Sequence, residues 1–330
     1  MGRRRKSRLD LPQRVYFQHG GYYFVPPTGS WVNLGREFGP AMAKWSEIVG
    51  RPTRLTTLGE IMDRYMLEVA PKKSPRTYQD NIKEMANLRA VFGHMRPGEV
   101  TAPDIYSYMD ARKAPVRANR EKSLLSHVFS YAIRWGGIKD NPCRNVKRNP
   151  ERPRERYPED YEIAAFQSVA GELLTAYVDL KYMTSMRKGD LLHLRLDALT
   201  DEGIAVTQGK TGKRLVYLWN PDLKAVVDRI KAMRRPLRSL FLFCTRMGQP
   251  YTASGFDSIW QRAMQRALDT GVLKERFTEH DIRAKTLTDA AGLGQDAQKL
   301  AGHKSRAMTD RYIKTRTIEK VKPLSRNIRH

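Results

Sequence analysis

Residues 149–158, NPERPRERYP, restrict the fold of this chain more than any other stretch. Three prolines remove backbone donors and push the residues before them out of helical geometry, and five charges resist burial. Few structures accept such a run other than an extended linker, so a domain boundary falls there. The patterning differs on its two sides. Residues 56–148 read as all helical. Leu58, Ile61, Met62, Tyr65 and Val69 recur at helical spacing, as do Leu124, Leu125, Val128, Ala132 and Trp135, and two more helices are expected near 75–92 and 102–112. Residues 159–330 are mixed. Helices are expected near 159–170, 173–186 and 188–196, then a hairpin of residues 204–208 and 215–219 around a GKTGK tip. Further helices follow near 221–233, 253–269, 281–291, 295–302 and 306–314.

Residues 1–55 read as a third, small unit. Segments 15–18, 22–25 and 31–34 are short, aromatic and β-branched, and Gly20-Gly21 and Pro26-Pro27-Thr28-Gly29 separate them. That pattern predicts a three-stranded antiparallel sheet. A helix follows, with Pro40 in its first turn, Ala41, Trp45, Ile48 and Val49 on one face, and Gly50 as terminator. The whole is an α+β chain, mainly helical.

Charge narrows the partners. Lys and Arg total 60 against 35 acids, a net charge of +25, which points to a polyanion. A membrane surface is the competing polyanion. No basic amphipathic helix of that kind and no apolar run near the ~18 residues needed to span a bilayer is present. The start, MGRRRKSR, resembles the charged end of a signal peptide, but Asp10, Pro12, Gln13 and Arg14 follow where an apolar stretch is required. Cys143 and Cys244 make no disulfide framework, and a cytoplasmic location fits.

Four patches of the last segment carry reactive groups. Arg187 lies in Thr184–Asp190, TSMRKGD, between two amphipathic segments; alone it reads as a solvated surface arginine. Lys210 stands at the hairpin tip, where a lysine usually faces solvent. In EHDIR, His280 and Arg283 share a helix face at i and i+3; alone they read as a capping histidine beside a surface arginine. Gly302 closes one helix and leaves His303 on a loop, and Tyr312 falls on the next short helix, where an isolated tyrosine is more often a packing residue.

The order of these groups is what distinguishes them. Arg, hairpin Lys, His-x-x-Arg, Gly-His and Tyr, in that sequence, resemble the tyrosine recombinase (phage integrase) family over residues 56–330. The small N-terminal sheet resembles the arm-type DNA-binding domain of lambda-like integrases. The resemblance implies a site-specific recombinase that cuts and rejoins DNA through a covalent 3′-phosphotyrosine at Tyr312, with no cofactor and no metal. It places the catalytic set on Arg187, Lys210, His280, Arg283, His303 and Tyr312, with Asp190 as the acid that supports the first arginine. Ser185 stands where the family often has Gly, and Ala301 where it often has Leu.

The resemblance also implies double-stranded attachment-site DNA and a homotetramer on DNA as partners, with accessory DNA-bending or directionality proteins. The helices near 75–92 and 116–135 are expected to enter the groove. Arg3, Arg4, Arg5, Lys6 and Arg8 are expected to contact DNA ahead of the sheet, and the apolar tail residues Ile318, Val321, Leu324 and Ile328 to dock on a neighbouring protomer. A P-loop ATPase does not fit: five residues separate Gly203 from Gly209, and a strand continues where a helix should open. A metal hydrolase lacks its HExxH or CxxC ligands. A type IB topoisomerase or a non-catalytic DNA-binding regulator remain as alternatives. The first would not need the N-terminal unit and the second would not need the reactive set.

Overall fold

The structure, a computed structural model, describes residues 11–26, 29–49, 57–152, 154–233 and 239–313. The chain divides into two compact units, residues 1–152 and 153–330, and the division falls inside the proline-rich stretch. Arg3, Arg4, Arg5, Lys6, Arg8 and the apolar tail residues lie outside the described residues.

In the first unit, β1 (Val15–Gln18), β2 (Gly21–Phe24) and β3 (Val32–Gly35) form an antiparallel sheet in that order. Val15 pairs with Phe24 and Gln18 with Gly21. His19 and Gly20 are left as a two-residue turn with φ of 49° and 73°. Positive φ at both positions is what a type I′ hairpin turn requires. Val15, Tyr22, Phe24 and Leu34 bury one sheet face against Ala41 and Met42 of α1 (Phe38–Val49). The Tyr16 and Trp31 rings meet at 5.5 Å, and both side chains remain exposed.

Four helices build the rest of this unit: α2 (Leu58–Glu68), α3 (Pro75–Phe92), α4 (Ala102–Ala111) and α5 (Pro115–Arg134). Thr57 and Glu60 close a capping box at the start of α2, satisfying two amides the helix cannot. Leu58, Ile61, Met62, Tyr65, Leu125 and Val128 are fully buried, as their spacing requires. Glu121 of α5 is buried but fully bonded. It accepts from Asn87 of α3 at 2.7 Å, Tyr108 of α4 at 2.7 Å, and Arg112 at 2.8 and 2.9 Å. The sheet is not isolated from this bundle: Phe38 packs against both cores, and Leu67 of α2 against the sheet's.

The second unit holds α6 (Asp160–Ala170), α7 (Glu172–Thr184), α8 (Lys188–Leu192), the hairpin β4 (Gly203–Thr207) and β5 (Arg214–Leu218), α9 (Pro221–Ala232), α10 (Ala253–Asp269), α11 (Glu279–Gly292), α12 (Ala297–Ala301) and α13 (Arg306–Asp310). Phe166, Tyr177, Phe256, Trp260 and Phe277 form its aromatic centre. The hairpin register runs from Gly203 opposite Leu218 to Thr207 opposite Arg214.

Two expected helices end early. The segment expected over 188–196 stops at Leu192. Beyond it, Leu194 O accepts from Leu242 N at 2.7 Å and Leu196 N donates to Leu240 O at 2.8 Å. Pairing with a distant segment therefore takes backbone groups a helix would have used. The last helix stops at Asp310, so Tyr312 lies in the turn that follows α13 and not on the helix expected over 306–314.

Candidate active site

Arg187 is placed by a backbone reversal. Ser185 caps the C-terminus of α7 in the left-handed region, φ 52°, and Arg187 is the N-cap residue of α8. Beneath this reversal lies Lys181, fully buried, whose Nζ donates to Met186 O at 3.1 Å and pairs with Glu279 at 2.5 Å. Burial holds the Lys181 ammonium below its usual value, against the raising effect of Glu279. Sequence reading passed over both residues, because a lysine and a glutamate almost 100 positions apart look like solvated surface charges until two helices pack.

The Arg187 guanidinium donates from Nη1 to Gln208 Oε1 at 2.7 Å. Gln208, also buried, accepts from Thr211 Oγ1 at 2.7 Å and donates from Nε2 to Ala301 O at 3.0 Å. It joins the first arginine, the hairpin tip and the end of α12. Asp190 does something other than expected. Its Oδ1 accepts from Gly209 N at 3.0 Å, so it steadies the hairpin tip, while Arg187 takes Gln208. Lys210 is exposed on that tip, on the rim of an open cleft of about 590 Å³ that Arg187, Asp190 and His193 also line.

The remaining groups come together on α11 and the two short helices after it. Thr278 and Asp281 form a capping box that starts α11, which sets His280 in its first turn and Arg283 one turn inward. Arg283 is fully buried. Nη1 donates to Ser185 O, Nη2 donates to Ala301 O at 3.1 Å, and Nη2 also meets His303 Nε2 at 3.1 Å. Its Nε is buried without a partner. Desolvation lowers the guanidinium pKa first, and the neighbouring Arg187 charge second.

Gly302 ends α12 at φ 64°, and a Cβ there would lie 2.5 Å from Gln208 Nε2. The left-handed turn delivers His303 to Arg283. The other ring nitrogen of His303, Nδ1, is 3.0 Å from Thr309 Oγ1. Desolvation, then the charges of Arg283, Arg187 and Lys213, bring the His303 pKa down to about 4. Tyr312 is held by its amide, which donates to Thr309 O at 2.8 Å. Its ring lies 5.2 Å from His303, nearly stacked at 28°, and 5.3 Å from His280. The Arg283 guanidinium carbon is 5.5 Å from the same ring centre. Partial desolvation, opposed by Glu279 and aided by Lys181 and Arg283, holds His280 below its usual value.

The cluster is thus strongly cationic, surrounds one phenol, and keeps a buried N–H unpaired: a site made for an anion beside a tyrosine. Two family descriptions match the chain. "Phage integrase central domain" covers residues 58–149 and "Phage integrase family" covers residues 162–318. The integrase of Escherichia phage HK022 is 24% identical over 97% of this chain and 98% of its own length. A lambda integrase dimer bound to a COC′ core site superposes with a TM-score of 0.69 at 21% identity, covering 97% of this chain and 99% of the other. A lambda integrase tetramer bound to a Holliday junction gives 0.68 at 22% identity over the same shares.

Fold and matches together define a site-specific DNA recombinase of the tyrosine class. The chain belongs to the phage integrase family and is similar to lambda-type integrases over nearly its whole length. Among the described residues, no helix is long and apolar enough to cross a membrane.

Proposed function

We propose that Tyr312 is the nucleophile of this recombinase, and that Arg187, Lys210, His280, Arg283 and His303 supply the rest of the chemistry without a metal. A free phenol ionises near pH ~10, so attack at neutral pH needs a base and nearby cations. His280, kept neutral by its surroundings, takes the phenolic proton. The Tyr312 oxygen bonds to phosphorus, the bond to the 5′-oxygen breaks, and Lys210 on its exposed tip gives that oxygen a proton. Arg187 and Arg283 meet the charge growing on the non-bridging oxygens, which a planar, permanently charged fork does well. His303 adds a hydrogen bond to one of those oxygens. The phosphotyrosine keeps the bond energy, so attack by a 5′-hydroxyl of a second strand rejoins the DNA with no nucleotide consumed.

The observation that carries this reading is the position of the Tyr312 ring between His303 and His280 and within 5.5 Å of Arg283. We further propose that the chain works as a tetramer on attachment-site DNA and that residues 1–55 form a second, arm-type DNA site. The test is a nicked suicide duplex in EDTA without nucleotide. Wild type should give a protein–DNA adduct that survives denaturing gels, and Tyr312→Phe should bind the duplex equally and give none. An adduct in the mutant would remove Tyr312 from the nucleophile role. Loss of cleavage on chelation, with recovery in magnesium, would end the metal-free reading.

A further inference from the structure

His303 has both ring nitrogens engaged, and the two bonds determine its proton. Arg283 Nη2 has only N–H groups to offer, so His303 Nε2, 3.1 Å away, must accept. The proton of the neutral ring then sits on Nδ1 and is donated to Thr309 Oγ1 at 3.0 Å. Lowering of the His303 pKa to about 4 keeps the ring neutral at physiological pH. In this state Nε2 has no proton to give, although a phosphate oxygen between Arg283 and His303 would need one from it.

A carboxylate at position 309 would lock the proton on Nδ1, because it only accepts. A hydroxyl can accept from Nδ1–H or, after rotating about one bond, donate to a bare Nδ1. Thr309 is buried, its backbone carbonyl also holds the Tyr312 amide, and so its position is fixed while its proton is not.

We propose that Thr309 is a positioning residue that lets His303 change tautomer when DNA arrives. This rests on the assignment of His303 to a phosphate oxygen. In the DNA-free protein Thr309 accepts from Nδ1–H and Nε2 buttresses Arg283. When the scissile phosphate takes over the Nη2 hydrogen bond of the fixed Arg283 guanidinium, Nε2 loses its donor. Nε2 takes a proton from water and Nδ1 returns one to water, so the ring changes tautomer with no change in net charge. The Thr309 hydroxyl turns to donate to Nδ1, and Nε2–H points at the phosphate. A site without DNA is thereby held as an Arg283–His303 pair, and phosphate converts it to two donors.

The test uses full-length protein with ¹⁵N-labelled histidine, the His303 signal being assigned by its loss in His303→Gln. The DNA-free protein should show the Nδ1–H tautomer. Tyr312→Phe bound to an intact core duplex should show Nε2–H. Thr309→Val, which keeps the shape and removes the hydroxyl, should leave the DNA-free ring in the Nδ1–H form, because Arg283 still donates to Nε2, but should mix the tautomers in the DNA complex and slow adduct formation by about 10–100-fold, as loss of a histidine-orienting partner does at other sites, with duplex affinity unchanged. Thr309→Ser should restore tautomer and rate. Nε2–H in the DNA-free protein, or Thr309→Val matching wild type in the tautomer of the DNA complex and in rate, would overturn the proposal. The DNA-free spectrum involves no cleavage, so it separates failure here from failure of the phosphate assignment, which His303→Gln tests directly by its adduct rate.

Discussion

Arg283 and Lys210 are opposite solutions to placing a cation. Arg283 is immobilised by two backbone carbonyls and, in the DNA-free protein, by His303, and its Nε is buried without a partner. Such preorganisation costs nothing at the moment of reaction and so favours transition-state stabilisation. Lys210 is exposed on a turn anchored one residue earlier, where Gly209 donates to Asp190. A group that must deliver a proton and withdraw benefits from that freedom, and a primary ammonium can lose its proton where a guanidinium cannot. Lys210→Ala should therefore slow cleavage of an ordinary duplex by ~10²–10⁴-fold, the usual worth of general acid catalysis. A duplex with a 5′-thio leaving group needs no proton and should be cleaved by the mutant nearly as fast as by wild type. Equal defects on the two substrates would take Lys210 out of the acid role.

At the scale of elements, α7 and α11 are held in register by a buried ion pair under the site. Lys181 on α7 is fully buried and Glu279 opens α11. The same ammonium bonds Met186 O, next to Arg187, so one contact fixes the reversal that carries the first arginine and the helix that carries the second. Removing one member of such a pair leaves an uncompensated charge in the interior. Lys181→Met should lower unfolding free energy by about 3–5 kcal/mol, measured by urea titration, and Lys181→Met with Glu279→Gln should recover a large part of it. If the single and double variants are equally unstable, the pair is not what couples the helices.

On the scale of the whole molecule, a net charge of +25 is more than one active site can use. Five of the first eight residues are Arg or Lys, and the sheet behind them presents Tyr16, Phe17 and Trp31 to solvent. A small sheet with exposed aromatics and a basic leader is suited to a DNA groove. Deleting residues 1–55 should spare adduct formation at the crossover site and abolish recombination that depends on flanking sites. The deletion uncovers part of α2 near Leu67 but leaves the helical core of Leu58, Tyr65, Leu125 and Phe129 intact. Salt dependence checks the electrostatic origin: the full chain should lose more duplex affinity per decade of salt than the deleted one, because fewer counterions are released when fewer phosphates are met. Identical salt slopes, or integration undisturbed by the deletion, would reduce residues 1–55 to a cap.

The hairpin and the amphipathic helices were readable along the chain because local rules govern them, whereas Arg187, Lys210, His280, Arg283, His303 and Tyr312 stood out only because their order resembles the integrase family's. Side-chain periodicity reports burial, and glycine and proline mark turns. What required the tertiary structure is every feature whose partner is remote in sequence. The 188–196 helix lost its second half to pairing with residues 240–242. Asp190 bonds Gly209 while Gln208 holds Arg187, and no spacing rule relates those pairs. Lys181 and Thr309 look like ordinary surface residues until packing buries them beside Glu279 and His303. The identity of reactive groups is a local property of the chain. Their partners, protonation and orientation depend on desolvation and on contacts that exist only once the helices have packed.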